Sequence, residues 1–482
     1  MTRLSPENLP SSIRTYSYDR DAVSIGIVHF GIGNFHRAHQ AVYCDDLLER
    51  GATQWGIAGV SLRSSKMKEA LAPQDYVYTL ATLSETTEYR VIGALQDIYV
   101  APENPEAVIA ILSKPSTQLV SSTITEKGYC LGPNGIDFEQ IDLQAELNSL
   151  DNPKTIYGFL ARALILRQET DLPGSKLTIM CCDNISGGGE FLKSGVERLL
   201  KSHAPKTLEW SHGNVSFISS MVDRVSPATD DRLRGLVQKA SGCVEASPVS
   251  TEPFSQWIIE DNFAGERPDF NTVGAEFVTD IAPFEKMKLG YLNAAHTFVS
   301  TLGYLFTDKF VHESLDRPAI EKFVRGALYK NILPHASVPS TYDGSAYIEA
   351  VIQRFENKSL PYENLQVGTD SSQKIQQRWF PTLDQGLRQK SDMSFFGFAL
   401  GAWCNFIQTA LQADVLNDPR RDPLSQIEMG PIQESTLGYL KIANAEKFNF
   451  FKNQTFMSTV THYAQDIHTH GVEKALDRFL TS

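Results

Sequence analysis

Cysteine is scarce in this chain: six residues in 482, with no C-x-x-C pair among them. That number is too small for a disulfide framework, and the spacing offers no thiolate zinc site. A reducing, cytoplasmic compartment is therefore expected. Long apolar runs are missing as well. The longest, Phe395–Cys404, stops at ten residues before Asn405, against about 20 for a membrane span. It reads as a buried helix, and no membrane partner is expected. The amino-terminal stretch Met1–Arg20 is polar and mixed in charge, without the apolar core or cleavage site of a signal peptide. Positive charge is in deficit, 44 Lys and Arg against 57 Asp and Glu for a net −13. This argues against a nucleic-acid partner. Internal repeats and low-complexity segments are also missing.

What is present is a globular chain. A hydrophobic content of 42% excludes intrinsic disorder, and the length suits two domains of roughly 200 to 280 residues. Up to about residue 280, apolar runs alternate with helical patterns. Ile25–Phe30, Trp55–Val60, Gln118–Ile124 and Leu177–Cys182 are strand-like, and Ala38–Arg50, Glu103–Ser113, Thr155–Arg167 and Glu190–Lys201 are helical. Continuous apolar strands separated by helices predict a parallel sheet covered on both faces. The segment Asp75–Val100 breaks the rhythm and reads as a hairpin insertion. Beyond residue 284 the pattern is helical, over Phe284–Phe306, Arg317–Leu333, Ser345–Phe355, Phe395–Leu411 and Gln433–Ala443. A boundary near Asp280–Pro283 follows.

Two constellations carry chemistry. Gly31-Ile32-Gly33-Asn34-Phe35-His36 follows a strand and opens a helix. Two glycines so placed let the backbone turn tightly beside a pyrophosphate at a helix amino terminus. His36 stands where the third glycine of G-x-G-x-x-G belongs, so a plain strand-to-helix turn is the other reading. Arg37, His36 and His39 would add positive charge beside a phosphate. After the second strand no carboxylate appears before Glu69; Arg63 and Lys66 stand there with Ser64 and Ser65. An acidic residue would hold the ribose 2′-hydroxyl of NAD. The basic pair suits the 2′-phosphate of NADP, or is ordinary surface charge.

The second constellation is Lys288, Asn293 and His296 in the first long helix of the second half. At α-helical spacing they fall within an arc of roughly 140° among apolar neighbours. A desolvated lysine can take the proton of a secondary alcohol while hydride leaves the same carbon. An amide beside it can polarise the carbonyl in the reverse direction, and an imidazole can hold a neighbouring hydroxyl.

The pattern K-x(4)-N-x(2)-H, preceded by Trp257-Ile258-Ile259-Glu260-Asp261-Asn262-Phe263, resembles the polyol-specific long-chain dehydrogenases, the mannitol dehydrogenase family. Three further stretches agree: Gly31–His39 with G-x-G-x-F-H-R-A-H, Val222–Pro227 with V-D-R-[IV]-x-P, and Ile124–Tyr129 with I-T-E-x-G-Y. The resemblance implies a Rossmann-like dinucleotide-binding domain over residues 1–283, with the hairpin insertion, and a mainly α-helical substrate and catalytic domain over 284–482. It implies Lys288 as general base, Asn293 as carbonyl partner and His296 as substrate ligand, with no metal. Asn184 matches a family asparagine beside nicotinamide and substrate, and Asp223 an aspartate of the substrate pocket. Gly31, Gly33, Phe35, Arg37, Arg63 and Lys66 would line the cofactor site. NAD-dependent relatives carry an acidic pair where Ser65-Lys66 stands; the family still favours NAD, with NADP not excluded.

Substrates of the family include mannitol/fructose, arabinitol, sorbitol and D-mannonate/D-fructuronate. Ser372-Gln373-Lys374-Ile375-Gln376-Gln377-Arg378 resembles the S-Q-K-x-x-Q-R run of its fructuronate reductase branch. Lys374 and Arg378 could bind a uronate carboxylate, or be a solvated basic helix start. D-Fructuronate reduction is the leading expectation and mannitol oxidation the alternative. A catalytically silent nucleotide sensor on the same fold is a third reading, against which the intact Lys288/Asn293/His296 set speaks. Oligomeric state and physiological direction are not legible.

Overall fold

The structure is a computed structural model and describes residues 2–132, 135–170, 175–427 and 432–482. The chain divides into two compact units, one running to Ala282 and the other spanning Pro283–Ser482.

In the first unit we number the strands β1 Ile25–Phe30, β2 Gly56–Ser61, β3 Tyr78–Thr82, β4 Glu88–Ile92, β5 Leu95–Val100, β6 Leu119–Ser122, β7 Leu177–Cys181, β8 Val215–Asp223, β9 Val249–Thr251, β10 Gln256–Glu260 and β11 Glu276–Val278. Eight of them form one sheet in the order β11-β10-β8-β7-β6-β1-β2-β5. From β8 to β5 every pairing is parallel, and β10 joins antiparallel to β8. Counted along the chain, the six parallel strands lie in the order 3-2-1-4-5-6. This is the doubly wound Rossmann topology, whose direction reverses between β1 and β6 and leaves a crevice beyond their carboxyl ends.

Helices α1 Asn34–Ala38, α2 Gln40–Glu49, α3 Pro105–Ser113, α4 Ile156–Thr170 and α5 Gly188–His203 connect these strands. The strands read as unbroken apolar runs because both faces are buried. Val28, Phe30 and Val120 pack with Ile109, Leu160 and Val196 on one face, while Ile27, Ile57 and Ile98 pack with Leu47 and Trp257 on the other. Arg167 of α4 is fully buried and donates to the carbonyls of Leu112, Lys114, Thr117, Ser175 and Lys176. It ties the loop after α3 to the entry of β7.

Two expectations need correction here. The hairpin β3–β4 exists, but it forms a separate three-stranded sheet with β9, and β5 is the edge strand of the main sheet. Buried Leu95, Ile98 and Val100 anchor it there. The helix expected over Ala38–Arg50 begins at Asn34 and is broken at His39, whose φ of −123° and ψ of −92° leave helical space.

The second unit is helical around a single core: α6 Ala282–Lys288, α7 Ala294–Leu305, α8 Pro318–Ala327, α9 Gly344–Phe355, α10 Ser371–Arg378, α11 Phe380–Arg388, α12 Ser394–Gln412, α13 Ile432–Ile442, α14 Gln454–His470 and α15 Val472–Thr481. The apolar run of the sequence is the buried α12, and no helix among the described residues is long and apolar enough to cross a membrane. Gly401 lets the backbone of α14 close on α12, since a Cβ there would meet Ala464 N at 2.7 Å. Two π-turns interrupt the helices, Leu289–Asn293 between α6 and α7, and Leu328–Ile332 after α8.

Candidate active site

Within the first unit, the nucleotide turn sits at the reversal point of the sheet. Gly31 has φ +99°, and a Cβ on it would strike the Thr123 carbonyl oxygen at 2.1 Å. Only glycine passes between the ends of β2 and β6 there. Gly33, exposed at the amino end of α1, has nothing within 4 Å of a built Cβ. A tight turn followed by open space before helix N–H groups fits a dinucleotide pyrophosphate, and Gly31 and Gly33 would hold it. Phe35 is partly exposed and stacks on His39 at 5.0 Å.

Arg37 does not face that space, which corrects the sequence expectation. It is fully buried, with Nη1 donating to Ser247 O and Nη2 to Ser247 Oγ and Asn34 Oδ1. Burial lowers its pKa to about 10, so it stays a cation, but one that braces the turn from beneath. His36 does not add charge to a phosphate site either, and His39 is turned into the interior. His36 is buried against His29 with ring centroids 3.5 Å apart, and burial holds its pKa well below the usual imidazole value. His39 is buried beside Gln256 O.

Arg63 and Lys66 are exposed just beyond the carboxyl end of β2. Neither side chain makes an ion pair or hydrogen bond among the described residues, so both are available to a ligand. Glu69, the first carboxylate after the strand, accepts from Ser65 Oγ.

Asn184 is exposed on the loop after β7, and Asp223 is buried at the end of β8. Parallel pairing of β7 and β8 places both at the same sheet edge as Gly31 and Gly33. The sequence reading missed Asp183. Its Oδ2 accepts from the backbone N–H groups of Ile124 and Thr125, at 2.7 and 3.2 Å, and from Tyr129 Oη at 2.7 Å. These bonds hold the loop after β6, including left-handed Thr125 at φ +63°, against the loop that carries Asn184. Burial nevertheless raises the Asp183 pKa. Its adjacency to Asn184 was the only signal.

Within the second unit, Lys288 ends α6, Asn293 closes the π-turn and His296 lies in the first turn of α7. Lys288 and Asn293 are 8% and 7% exposed. The uniform α-helical arc expected from sequence does not apply. Residues five apart sit about 140° apart on an α-helix, whereas an i→i+5 turn brings them nearly over one another. The π-turn therefore aligns Lys288 with Asn293 on one face. His296 is half-buried, stacked on Phe355 at 4.2 Å and edge-on to Tyr362 at 5.7 Å. The Asn293 Nδ2 group is buried without a hydrogen-bond partner, a donor left for something other than this chain's described residues.

Arg378, at the end of α10, is brought to the same segment. Its Nη1 donates to Asn293 O at 3.3 Å and to Thr297 Oγ1 at 2.9 Å. Burial lowers its pKa to about 10, which leaves it charged at neutral pH. It is not the solvated helix start that the sequence allowed. Lys374, one turn earlier on α10, is half-buried. The unit thus assembles a lysine, an unsatisfied amide, an imidazole and a guanidinium, a set able to move a proton and to bind oxygens of a polyhydroxylated ligand.

Comparison with known proteins shows the family of the chain. The family model "Mannitol dehydrogenase Rossmann domain" matches residues 25–272, and "Mannitol dehydrogenase C-terminal domain" matches residues 280–468. The D-mannonate oxidoreductase of Escherichia coli (strain K12) is 34% identical over 415 residues, 85% of each chain. The polyol:NADP oxidoreductase of Gluconobacter oxydans (strain 621H) is 32% identical over 416 residues, again 85% of each. The solved structure of Pseudomonas fluorescens mannitol 2-dehydrogenase, a ternary complex with NAD and D-mannitol, superposes with a TM-score of 0.85 at 30% identity and full coverage of both chains. With both family domains matched in order along most of its length, the chain belongs to the mannitol dehydrogenase family of oxidoreductases.

Proposed function

We propose that the protein interconverts D-fructuronate and D-mannonate with NAD(H), the first unit being the dinucleotide-binding domain and the second the substrate and catalytic domain. The bound dinucleotide supplies or accepts the hydride. Gly31, Gly33 and Phe35 hold it, with Arg63 and Lys66 at the adenosine end. Lys288 Nζ takes the proton of the substrate hydroxyl in oxidation and returns it in reduction. Asn293 Nδ2 donates to the reacting oxygen, where the unused N–H gains its partner as negative charge develops. His296 orients a neighbouring hydroxyl.

The observation that carries the uronate reading is Arg378. Only its Nη1 is committed, to Asn293 O and Thr297 Oγ1, and its Nε and Nη2 make no hydrogen bond among the described residues. The remaining N–H groups of this charged fork suit a carboxylate better than the hydroxyl of a neutral polyol. Lys374 would add a second cation. The similarity to a D-mannonate oxidoreductase points the same way. All six cysteines are unpaired and buried, which supports a reducing, cytoplasmic setting.

Mannitol/fructose interconversion is the second reading, favoured by the full-length likeness to a mannitol 2-dehydrogenase that holds D-mannitol. A steady-state panel of D-fructuronate, D-fructose, tagaturonate and arabinitol, each with NAD(H) and NADP(H), decides between them. A charge-assisted contact of about 1.5–3 kcal/mol gives the uronate a kcat/KM advantage over fructose of roughly 10- to 150-fold. Fructose turned over faster than the uronate would establish the mannitol reading instead.

A further inference from the structure

The junction of α10 with the π-turn is built in more detail than substrate binding requires. Thr297 Oγ1 donates to Asn293 O at 3.0 Å and accepts from Arg378 Nη1 at 2.9 Å, while the same Nη1 reaches Asn293 O directly at 3.3 Å. The next residue, Trp379, donates through Nε1 to Ala294 O at 3.2 Å. Two consecutive side chains at the end of α10 therefore hold two consecutive carbonyls at the exit of the π-turn. Thr297 and Trp379 are 3% and 0% exposed, so their own bonds to the two carbonyls are shielded from competing water, while those of Arg378 are partly buried.

A π-turn is rare because its hydrogen bonding is poorer than that of an α-helix, and it persists where its surroundings impose it. Were it to relax to α-helical winding, Lys288 and Asn293 would stand about 140° apart around the axis. From these contacts we infer that Arg378, acting through Thr297, is a positioning residue that holds the Asn293 carbonyl and with it the register of the π-turn. This sets the catalytic amide against Lys288 whether or not the substrate carries a carboxylate. The inference rests on the proposed role of Asn293 and adds to Arg378 a duty independent of substrate charge.

Thr297→Val keeps the shape and removes the relay while leaving Arg378 free to bind a carboxylate. It should lower kcat by about 10- to 100-fold, the scale of a small misplacement at a reacting centre, and by the same factor on D-fructuronate and D-fructose. KM values and the NADH dissociation constant, read by fluorescence, should stay within twofold. Thr297→Ser should restore kcat, and amide exchange over residues 288–297 should be faster in Thr297→Val than in Thr297→Ser. Arg378→Lys, which retains the charge but not the fork, provides the same comparison if Thr297→Val does not fold. It too should lose kcat on the neutral ketose. Asn293→Ala is measured alongside. An inactive Asn293→Ala beside an unimpaired Thr297→Val and Arg378→Lys overturns the positioning role alone. A loss confined to the uronate does the same, leaving Arg378 a substrate ligand only. Full turnover by Asn293→Ala overturns the role of Asn293 and the inference with it.

Discussion

Replacing Asn293 by leucine should make the protein more stable and nearly inactive. The Asn293 amide sits at 7% exposure with its Nδ2 buried and unpartnered. A buried donor in that state costs about 1–3 kcal/mol, and leucine has a similar shape without the donor. The second unit spans Pro283–Ser482, a size at which 1 kcal/mol moves the unfolding temperature by about 2–4 °C. The variant should therefore unfold at the wild-type temperature or several degrees above it. Losing one hydrogen-bond donor to a developing oxyanion costs about 10²- to 10³-fold in kcat, with the fold intact. Calorimetry on the ligand-free protein and initial rates with D-fructuronate and NADH read both quantities on one preparation. A variant that unfolds more readily than the wild type yet keeps its turnover would refute the reasoning, because Nδ2 would then be serving the fold and not the ligand.

Lys288→Ala should lower kcat by about 10²-fold or more, with partial restoration by added primary amines; turnover near the wild-type value would remove it as the base. For the cofactor, Lys66→Glu should shift the ratio of NADPH to NADH efficiency toward NADH, since Lys66 and Arg63 are exposed and uncommitted beyond β2. An unchanged ratio would make the pair surface charge. Acid stability tests the buried histidines. Burial pushes the His29 pKa down to about 3, below its ordinary value of about 6.5, so its contribution is full above pH 6.5 and falls as pH drops through that value. By pH 5 the loss is about 2 kcal/mol. Denaturant unfolding at pH 7 and 5 should show His29→Asn losing less stability than the wild type by about that amount, and equal losses would mean that His29 titrates normally.

The strands with continuous apolar faces were legible: β1 begins and ends where Ile25–Phe30 does, and β7 differs from the expected run by one residue. Double burial leaves a signal that needs no tertiary knowledge. The edge strand β5 was not separable from the hairpin, because Leu95-Gln96-Asp97-Ile98-Tyr99-Val100 follows β4 after only two residues and is buried on one face. Helices α14 and α15 were missed for a related reason. Each buries a narrow stripe, such as Val460, Ala464 and Ile467, among many polar positions. At the candidate site, spacing singled out Lys288, Asn293 and His296 as a group, but their geometry was not legible. A π-turn adds one residue to a turn without changing composition. Arg37 was misplaced because adjacency to a glycine turn says nothing about the direction of a side chain.

Neither buried polarity nor one unpartnered atom marks a functional residue in this protein, since Asn331 Oδ1, Asn364 Oδ1 and Trp257 Nε1 are buried without partners as well. Among the buried asparagines of the second unit, Asn293 differs in that its Nδ2 donor is the unpartnered group. Four asparagines of the second unit are at least nine-tenths buried: Asn293, Asn331, Asn364 and Asn405. Asn331 donates to Asp392 O, Asn364 to Asp308 O, Phe310 O and Ser314 Oγ, and Asn405 to Gly401 O and Ala464 O. Each of those three side chains joins segments of the fold, and removing it would leave carbonyls unpartnered. Among the described residues the Asn293 Nδ2 joins nothing, although the residue's own carbonyl is held by Thr297 and Arg378. The backbone is fixed while the side chain is kept unsatisfied, an arrangement that costs stability in the ligand-free protein. Such a cost is tolerated where a ligand supplies the missing acceptor; under the proposed function, with the π-turn turning Asn293 toward the face of Lys288, that acceptor is the substrate oxygen whose proton Lys288 would move.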